Sequence, residues 1–452
     1  MNAMTKKTPR HLAVDILNRV EAQGAFAEPL LDACLSKNRQ IHIHDSRLIT
    51  QIVYGTLRMR GRLDWIIGRL YRGNFLSMEV RIKNILRTGI YQLLFTDRIP
   101  DFAVVNEAVE ITKKMHPAGA GLVNAVLRNA IRKKDEIAYP EMGKDPSLHI
   151  SIVHSHPLWM VKRWIAMFGV EETAALCKAN NEIPPVALRV NILETTRERA
   201  RDALLQDGFD VKLTAFSPDG LILSNPAMSI RDTTCYTAGH IQVQDEASQL
   251  IAHLVDPKEG ENVLDLCAGA GGKTTHLAAI MNNRGSITAF DINEKKIDAL
   301  RKNARRLGVT IVDAYAGDAR EMLGEAFFGR FDKIIVDAPC SGLGTLRRNP
   351  EIKWRSSPEG VSKCAAQQKA IMNNAALYLK KGGSLIYSTC TSMPEENEDV
   401  IDGFISHHRN FICIHPPNTI DLRFVNARGY FQSYPHRHGT DGFFGAVLRK
   451  KS

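Results

Sequence analysis

Apolar residues recur every three or four positions through much of the N-terminal part of the chain. The pattern runs through HLAVDILNRVEAQ, RLITQIVYGTLRMRGRLDWIIGRL, VRIKNILRTGIYQLLF and GLVNAVLRNAIRKK. This spacing places apolar side chains on one face of a helix. The sequence therefore predicts helices from Pro9 to about Arg132, and we expect an all-α domain over residues 1–137.

The polar faces of these predicted helices are rich in basic residues. They carry Arg58, Arg60, Arg62, Arg69, Arg72, Arg81, Lys83 and Arg87. A basic helix face either is solvated or contacts a nucleic-acid backbone. The pattern favours neither interpretation over the other.

A different pattern follows the polar stretch DEIAYPEMGKDP, which predicts a linker. HPLWMVKRWIAMFGVEETAALCKANN predicts helices, and PPVALRVNILETTRERARDALLQDGFDVKLTAF predicts a strand, a helix and a strand. Thr195 or Thr196 is the expected cap of that helix. We expect a small α+β module over residues 150–237.

From about Gly239 short, almost wholly apolar runs alternate with helical stretches. The runs lie in ENVLDLCA, GSITAFDIN, TIVDAYAGD, FDKIIVDAP and GGSLIYSTC. Strands buried on both faces have this composition, which indicates a parallel sheet with helices on each side. Residues 238–452 are therefore expected to form an α/β domain.

Composition and charge narrow the class of protein. With 44% hydrophobic and 24% charged residues over 452 positions, the chain has the composition of a folded globular protein of several domains. The net charge of +10 favours an acidic partner such as a nucleic acid, although many basic proteins bind none. Because we find neither an apolar run of about 18 residues nor a signal-type apolar core, we expect a cytoplasmic protein without a membrane segment.

The loop after the first apolar strand has the composition of a nucleotide-binding turn. Glycines allow close backbone approach, and the start of the next helix, at Thr274 and Thr275, offers free N–H groups. The loop nearly matches GxxxxGK[ST], but a cysteine stands at the first glycine, which argues against a phosphate-loop NTPase. The loop consists of Cys267, Ala268, Gly269, Ala270, Gly271, Gly272 and Lys273.

Acidic residues end the next three strands. Asp291 ends the second strand, where a carboxylate can accept hydrogen bonds from ribose hydroxyls, and Asp318 and Asp337 end the third and fourth. Each aspartate alone is as well explained by a turn or a helix cap. Because the carboxyl ends of parallel strands meet at one edge of a sheet, we expect a single site, which would fit a dinucleotide as well as S-adenosylmethionine.

Two cysteines lie at the same sheet edge, Cys340 after the fourth strand and Cys390 at the end of the fifth. Carbon 5 of cytosine is methylated readily only after a nucleophile such as a thiolate has added to C6. Two thiols and a carboxylate at one site match that chemistry. The absence of a CxxC pair predicts no metal site, and we interpret the other cysteines as small packing residues: Cys34, Cys177, Cys235, Cys267, Cys364 and Cys413.

Several segments resemble one enzyme family. FDKIIVDAPCSG, STCT, VQDEASQL, AFDIN and GTDGFFGAVLRK are similar to signatures of the RNA cytosine-C5 methyltransferase (Nol1/Nop2/Sun) family, over Gln242 to Lys450. RLITQIVYGTLR, VVNEAVEITKK and GLVNAVLRN resemble the RNA-binding factor NusB, and this pairing is typical of bacterial members that modify 16S ribosomal RNA. The resemblance implies an all-α NusB-like domain, a small α+β connector and a Rossmann-like methyltransferase domain.

The roles of the site residues are implied by this resemblance. It implies that the loop from Cys267 to Lys273, with Asp291 and Asp318, binds S-adenosylmethionine. It implies that Asp337, between cofactor and base, contributes to the cofactor site and hydrogen-bonds the cytosine edge. It also makes Cys390 the nucleophile and Cys340 the residue that assists elimination, whereas DNA cytosine-C5 methyltransferases use the cysteine of a PC motif as nucleophile.

The expected partner is 16S ribosomal RNA, either naked or in a partly assembled small subunit, and the expected state is a monomer. A tRNA substrate is the main alternative among enzymes. A non-catalytic RNA-binding assembly factor is the alternative from another class. Both cysteines and Asp337 argue against that alternative, since binding alone needs none of them.

Overall fold

The computed structural model describes residues 7–38, 41–97, 99–224 and 229–452. Residues 1–6 lie outside these ranges. They begin the predicted helical domain and are part of the N-terminal segment in which a signal was sought. Contacts between residues divide the chain into two compact units. The first unit is Met1–Glu182 with Leu346–Arg355, and the second unit is Ile183–Thr345 with Ser356–Ser452.

The helices and strands of the two units follow the predicted change of pattern along the chain. The helices are α1 (Pro9–Gln23), α2 (Ala27–Lys37), α3 (Ile43–Leu70), α4 (Val80–Phe95), α5 (Asp101–Met115), α6 (Ala120–Lys133), α7 (Pro146–Val153), α8 (Leu158–Phe168), α9 (Val170–Ala179), α10 (Arg197–Gln206), α11 (Thr234–Thr237), α12 (Glu246–Val255), α13 (Gly272–Ile280), α14 (Glu294–Arg306), α15 (Ile352–Arg355), α16 (Pro358–Tyr378), α17 (Glu398–His407) and α18 (Pro435–His438). The strands are β1 (Val186–Val190), β2 (Asp210–Leu213), β3 (Gly220–Ser224), β4 (Ile241–Val243), β5 (Asn262–Asp265), β6 (Ser286–Asp291), β7 (Val312–Ala316), β8 (Phe331–Asp337), β9 (Leu379–Thr389), β10 (Phe411–Ile414), β11 (Phe431–Gln432) and β12 (Phe444–Lys450).

The first unit contains α1 to α9, whose apolar faces form its core. One cluster joins α3, α4, α5 and α6 through residues such as Ile66, Ile85 and Leu127, all fully buried. The unit boundary at Glu182 differs from the predicted domain limits, because α7, α8 and α9 pack with the helical unit rather than with the module predicted over residues 150–237. Among the described residues, no helix combines the length and apolarity that crossing a bilayer requires.

Two of the basic residues that the sequence places on polar helix faces are buried instead. Arg87 binds Asp64 with two nitrogens, at 2.6 and 2.9 Å, and Glu21 with a third at 2.8 Å. Arg58 donates to the main-chain oxygen of Arg347 at 3.0 Å. Neither the solvated nor the RNA-facing interpretation therefore describes Arg58 and Arg87.

A segment far along the chain completes the first unit. The fully buried Lys353 donates from Nζ to the carbonyl oxygens of Arg58 and Ser155, at 3.0 and 3.1 Å, and to Asn181 Oδ1 at 2.8 Å. Trp354 Nε1 donates to the carbonyl oxygen of Leu57 at 2.8 Å. The segment 346–355 follows the Cys340 motif in sequence, and nothing in its pattern predicts these partners.

A small antiparallel sheet begins the second unit, with strand order β2-β3-β1-β4. The predicted strand, helix and strand are β1, α10 and β2, and Thr196 caps α10 by accepting from the Arg199 N–H. Leu188, Leu204 and Leu221 pack between sheet and helix. This module agrees with the predicted α+β class.

A larger sheet carries the predicted site. Its strand order is β10-β12-β9-β8-β5-β6-β7, with β11 paired to β12. The five predicted apolar runs are β5 to β9, which pair in parallel, but the segment GTDGFFGAVLRK adds β12 antiparallel to β9, so the sheet is mixed. Neighbouring residues such as Leu264 and Val263 enter cores on opposite faces, which explains the almost wholly apolar runs.

Candidate functional site

A cavity of about 510 Å³ lies at the carboxyl ends of β5, β6, β7 and β8. This is the edge of an open parallel sheet at which ligands bind. Gln244, Ser248 and Arg320 also line it, and the sequence did not single them out. The predicted residues that line the cavity are Cys267, Ala268, Gly269, Ala270, Gly272, Lys273, Asp291, Asp318 and Asp337.

The glycine loop bends where glycine is needed. Gly269 and Gly271 have φ values of 57° and 84°, in the left-handed region that side chains disfavour. A Cβ on Gly271 would also lie 2.7 Å from Leu300 Cγ, so this glycine allows the loop to pack against α14. Helix α13 begins at Gly272, two residues before the predicted start at Thr274, and its first turn adjoins the cavity.

Asp291 and Asp318 each make local hydrogen bonds at the cavity. Asp291 accepts from the main-chain N–H of Gly269 at 3.0 Å and of Asn293 at 2.8 Å, so it holds the glycine loop against the end of β6. Arg320 donates to both oxygens of Asp318 at 2.5 to 3.0 Å, and these bonds lower the pKa of Asp318. Carboxylate oxygens can accept further hydrogen bonds from a ligand.

Asp265 is a cavity residue that the sequence analysis missed. It ends β5, is 1% exposed, and accepts from Thr274 Oγ1 at 2.7 Å and from the Cys267 N–H at 3.3 Å. Burial raises the pKa of Asp265 to about 7. Its position at a strand end, the same position that marks Asp291 and Asp337, is the signal that could have identified it.

Asp337 is fixed from two sides. Lys273 Nζ lies 2.6 Å from Asp337 Oδ2, and Ser388 Oγ donates to Asp337 Oδ1 at 2.8 Å. The Lys273 ammonium also lies 5.1 Å from the centre of the Phe443 ring, which belongs to the segment before β12. Lys273, predicted as part of the cofactor loop, thus connects that loop to the carboxylate at the end of β8.

The two predicted catalytic cysteines lie side by side. Their sulfur atoms are 3.2 Å apart, and the Cys390 N–H points to Cys340 Sγ at 3.4 Å. The hydrogen bond with Cys390, together with burial, raises the pKa of the Cys340 thiol well above its usual value. A Cβ on Gly344 would lie 1.9 Å from the carbonyl oxygen of Gly442, so the loops here require glycine to meet this closely.

The remaining cysteines, all within the described residues, are free thiols. Cys177 and Cys235 are buried, as expected of packing residues, whereas Cys34, Cys364 and Cys413 are partly exposed. Burial raises the pKa of Cys267 well above its usual value, so this thiol of the glycine loop stays protonated.

A further polar cluster was not foreseen from the sequence. Asp219 Oδ2 accepts from His253 Nε2 at 2.8 Å and from His276 Nε2 at 3.0 Å. Burial lowers the pKa of His276 to about 3, so this imidazole is neutral at pH 7. The distances are those of hydrogen bonds, and the cluster joins the connecting module to α12 and α13.

Three family models match consecutive parts of the chain. Residues 7–132 match the NusB family, residues 156–231 match a ferredoxin-like domain described as Methyltr_RsmF/B-like, and residues 252–449 match 16S rRNA methyltransferase RsmB/F. These matches confirm the predicted fold class, an all-α NusB-like domain followed by an α+β connector and a methyltransferase domain.

Whole-length relatives agree with this division. The chain is 35% identical to the probable ribosomal RNA small subunit methyltransferase B of Bacillus subtilis (strain 168), over 99% of this chain and 100% of that one. It is 32% identical to the protein of the same name from Synechocystis sp., over 98% and 99% of the two chains. The crystal structure of PH0851 superposes with a TM-score of 0.83 at 28% identity, covering 98% of this chain and 99% of that one.

Proposed function

The chain belongs to the RsmB/F family of 16S rRNA methyltransferases, and from this premise we propose that it methylates C5 of a cytosine in 16S ribosomal RNA through a cysteine adduct. Methyl transfer to ribosomal RNA of the small subunit follows from the family. The single observation that carries the cytosine-C5 assignment is the pair of sulfur atoms 3.2 Å apart, one after the end of β8 and the other after the end of β9. Transfer to a nitrogen or a ribose oxygen needs no thiol, whereas transfer to C5 needs a nucleophile that adds and then leaves.

The cavity fits S-adenosylmethionine, which supplies an electrophilic methyl group when bound. The cavity volume of about 510 Å³ is typical of a small-molecule site. We assign the loop from Cys267 to Lys273 and the carboxylates of Asp291 and Asp318 to cofactor binding. The first turn of α13 and the two strand ends offer donors and acceptors suited to a zwitterionic nucleoside.

Cys390 is the proposed nucleophile. Its sulfur forms a bond to C6, and the electrons of the C5–C6 double bond then make C5 nucleophilic enough to accept the methyl group. The choice of Cys390 rather than Cys340 rests on the resemblance of the STCT segment to the family.

Elimination completes the proposed reaction. A base accepts the proton on C5, the electrons of that C–H bond re-form the C5–C6 double bond, and Cys390 Sγ leaves C6 as a thiolate. Cys340 assists this step at 3.2 Å from Cys390. Asp337, oriented by Lys273 and Ser388, accepts a hydrogen bond from the amino edge of the cytosine, which keeps the base in register with the thiols.

The proposed substrate is 16S ribosomal RNA, free or in a partly assembled small subunit, acted on by a monomer in the cytoplasm. Arg69, Arg72 and Arg81 are exposed residues of the first unit and are our candidates for phosphate contacts. The target base must be unpaired or flipped, since neither thiol can reach C6 inside a stacked helix.

The experiment that tests this function uses the full chain with methyl-labelled S-adenosylmethionine and transcripts of 16S ribosomal RNA and tRNA. Nucleosides from digested RNA are then separated by mass, and bisulfite sequencing of the 16S product locates the base. We expect 5-methylcytosine in the 16S transcript. Methyl groups on another atom, or in tRNA alone, would contradict the proposal.

A further inference from the structure

A buried carboxylate lies behind the two thiols and has no assigned role in the reaction. Glu396 follows Cys390 in the segment TSMPEEN and is fully buried. Its Oε1 accepts from the Ser341 N–H at 2.8 Å, and its Oε2 accepts from Ser341 Oγ at 2.5 Å. Ser341 is the residue after Cys340, so Glu396 binds the loop that carries the second thiol.

Gln368 on α16 holds the other side of the same loop. Its Nε2 donates to the carbonyl oxygen of Pro339 at 3.0 Å and to Glu396 Oε1 at 3.1 Å. Pro339 precedes Cys340, so the chain on both sides of this cysteine is bound by one pair of buried side chains. We name Glu396 and Gln368 the loop clamp.

The loop clamp is also tied to the segment of the nucleophile. Thr391 Oγ1 lies 2.9 Å from Ser341 Oγ, and Tyr387 Oη donates to the carbonyl oxygen of Glu396 at 2.5 Å. Thr391 follows Cys390, and Tyr387 lies in β9, which ends one residue before Cys390. One hydrogen-bonded frame therefore sets the distance between the two sulfur atoms.

Burial of the Glu396 carboxylate by itself lowers the free energy of unfolding. A buried charge costs several kcal/mol unless its hydrogen bonds are complete, and burial raises the pKa of Glu396. Ser341 and Gln368 direct N–H and O–H donors at position 396. A carboxylate only accepts hydrogen bonds, so it satisfies all of these donors. A glutamine would turn its own amide N–H groups toward one of these donors.

We propose that Glu396, supported by Gln368, is a positioning residue that holds Cys340 in place for the elimination step. This inference rests on the proposed cysteine-adduct mechanism. Removing the Glu396 side chain breaks the bonds to the loop of Cys340. The main-chain bond from Tyr387, which supports the Cys390 segment, remains, so we expect attack and methyl transfer to continue. Elimination slows, because a shift of about 1 Å in an assisting group costs up to a hundredfold in rate.

The test is a single-turnover reaction of the full chain with a 16S transcript and S-adenosylmethionine, for Glu396→Ala, Gln368→Ala and Cys340→Ala. Adduct is measured on a denaturing gel and product by release of methylated RNA. We expect Glu396→Ala to release product about tenfold more slowly than wild type, with adduct formation and cofactor Kd near wild type. Asp219→Asn, which alters a buried carboxylate that binds His253 and His276 instead, is the control and should release at the wild-type rate.

The outcomes separate the clamp from the chemistry. If Cys340→Ala traps an adduct while Glu396→Ala and Gln368→Ala release product at the wild-type rate, the clamp is wrong and the mechanism stands. If Cys340→Ala traps none, the mechanism fails and the clamp with it. Should Glu396→Ala not fold, Glu396→Gln and Ser341→Ala each remove part of the clamp. Slower release by both supports the clamp, and wild-type release by both overturns it.

Discussion

The buried charged side chains of the two units are mainly of opposite sign. In the described part of the first unit they are mainly cations, such as Arg58, Arg87 and Lys353, and each binds carboxylates or main-chain oxygens within that unit. In the second unit they are mainly acidic, and Asp265 and Asp291 end strands at a cavity. The first set holds chain segments together, whereas Asp265 and Asp291 in the second set face a volume that a ligand can fill.

The largest expected effect is that of removing the charge of Asp337. Asp337→Asn keeps the shape of the side chain but weakens its bond to Lys273 and the proposed bond to the cytosine edge. We expect a loss of about 3 kcal/mol in transition-state binding, roughly a hundredfold in kcat/KM, with little change in cofactor Kd. Steady-state kinetics with calorimetry measures both. An unchanged kcat/KM would remove Asp337 from the reaction.

The matching substitution in the first unit should affect stability instead. Arg87→Met removes the buried cation shared by Asp64 and Glu21. Arg60 remains, 2.8 Å from Glu21 and 3.9 Å from Asp64. Because those carboxylates are partly exposed, we expect a loss of about 2 to 3 kcal/mol in the free energy of unfolding, less than the roughly 3 to 5 kcal/mol of a fully buried pair.

Arg81→Met on the same helix is the matched control for Arg87→Met, since Arg81 is 56% exposed and should change stability by less than about 0.5 kcal/mol. Denaturant melts of both variants measure the difference. Equal stability of the two variants would mean that the buried Arg87 contributes no more to folding than the exposed Arg81.

Asp291→Ala tests a residue with both a structural and a binding role. Removing its carboxylate frees the Gly269 N–H and takes an acceptor from the cavity. We expect S-adenosylmethionine to bind about 2 kcal/mol more weakly, as measured by calorimetry. Tight binding of ATP by the wild-type chain, or no binding of S-adenosylmethionine, would instead show that the cavity serves another ligand.

The smallest expected effect belongs to the exposed cations of the first unit. Replacing Arg69, Arg72 and Arg81 by Gln should weaken RNA binding by about 1 kcal/mol and flatten its dependence on salt. Filter binding at several salt concentrations measures the slope. A Kd and a slope equal to those of wild type would mean that these arginines are merely solvated.

Sequence patterns predicted the sheet well for a physical reason. Strands β5, β6, β8 and β9 are largely buried, so their apolar runs are long, whereas the edge strand β7 is mostly exposed. The ends of β5 to β8 lie at the cavity. Asp291, Asp318 and Asp337 could be found in this way. Asp265 was overlooked because it lies inside the apolar segment VLDL.

Features that depend on distant partners could not be predicted in the same way. The helical period cannot show that Arg58 is buried, because its acceptor, Arg347, lies 289 residues along the chain. Glu396 lies in a polar segment beside another glutamate, so its sequence context predicts an exposed side chain. Its hydrogen-bond donors, Ser341 and Gln368, are distant in sequence. Segment 346–355 could not be predicted to join the first unit, because its partners there are also distant in sequence.

The covalent state of the RNA in the two cysteine variants tests the account most directly. Full-length Cys390→Ala and Cys340→Ala are incubated with S-adenosylmethionine and a hairpin-loop RNA from the 16S substrate, and denaturing electrophoresis detects a protein–RNA complex. We predict no methylation and no complex with Cys390→Ala, since no route to the activated base remains. We predict a stable complex with Cys340→Ala, since attack proceeds and elimination is slowed. A complex with Cys390→Ala but none with Cys340→Ala would contradict the account and reverse the roles of the thiols.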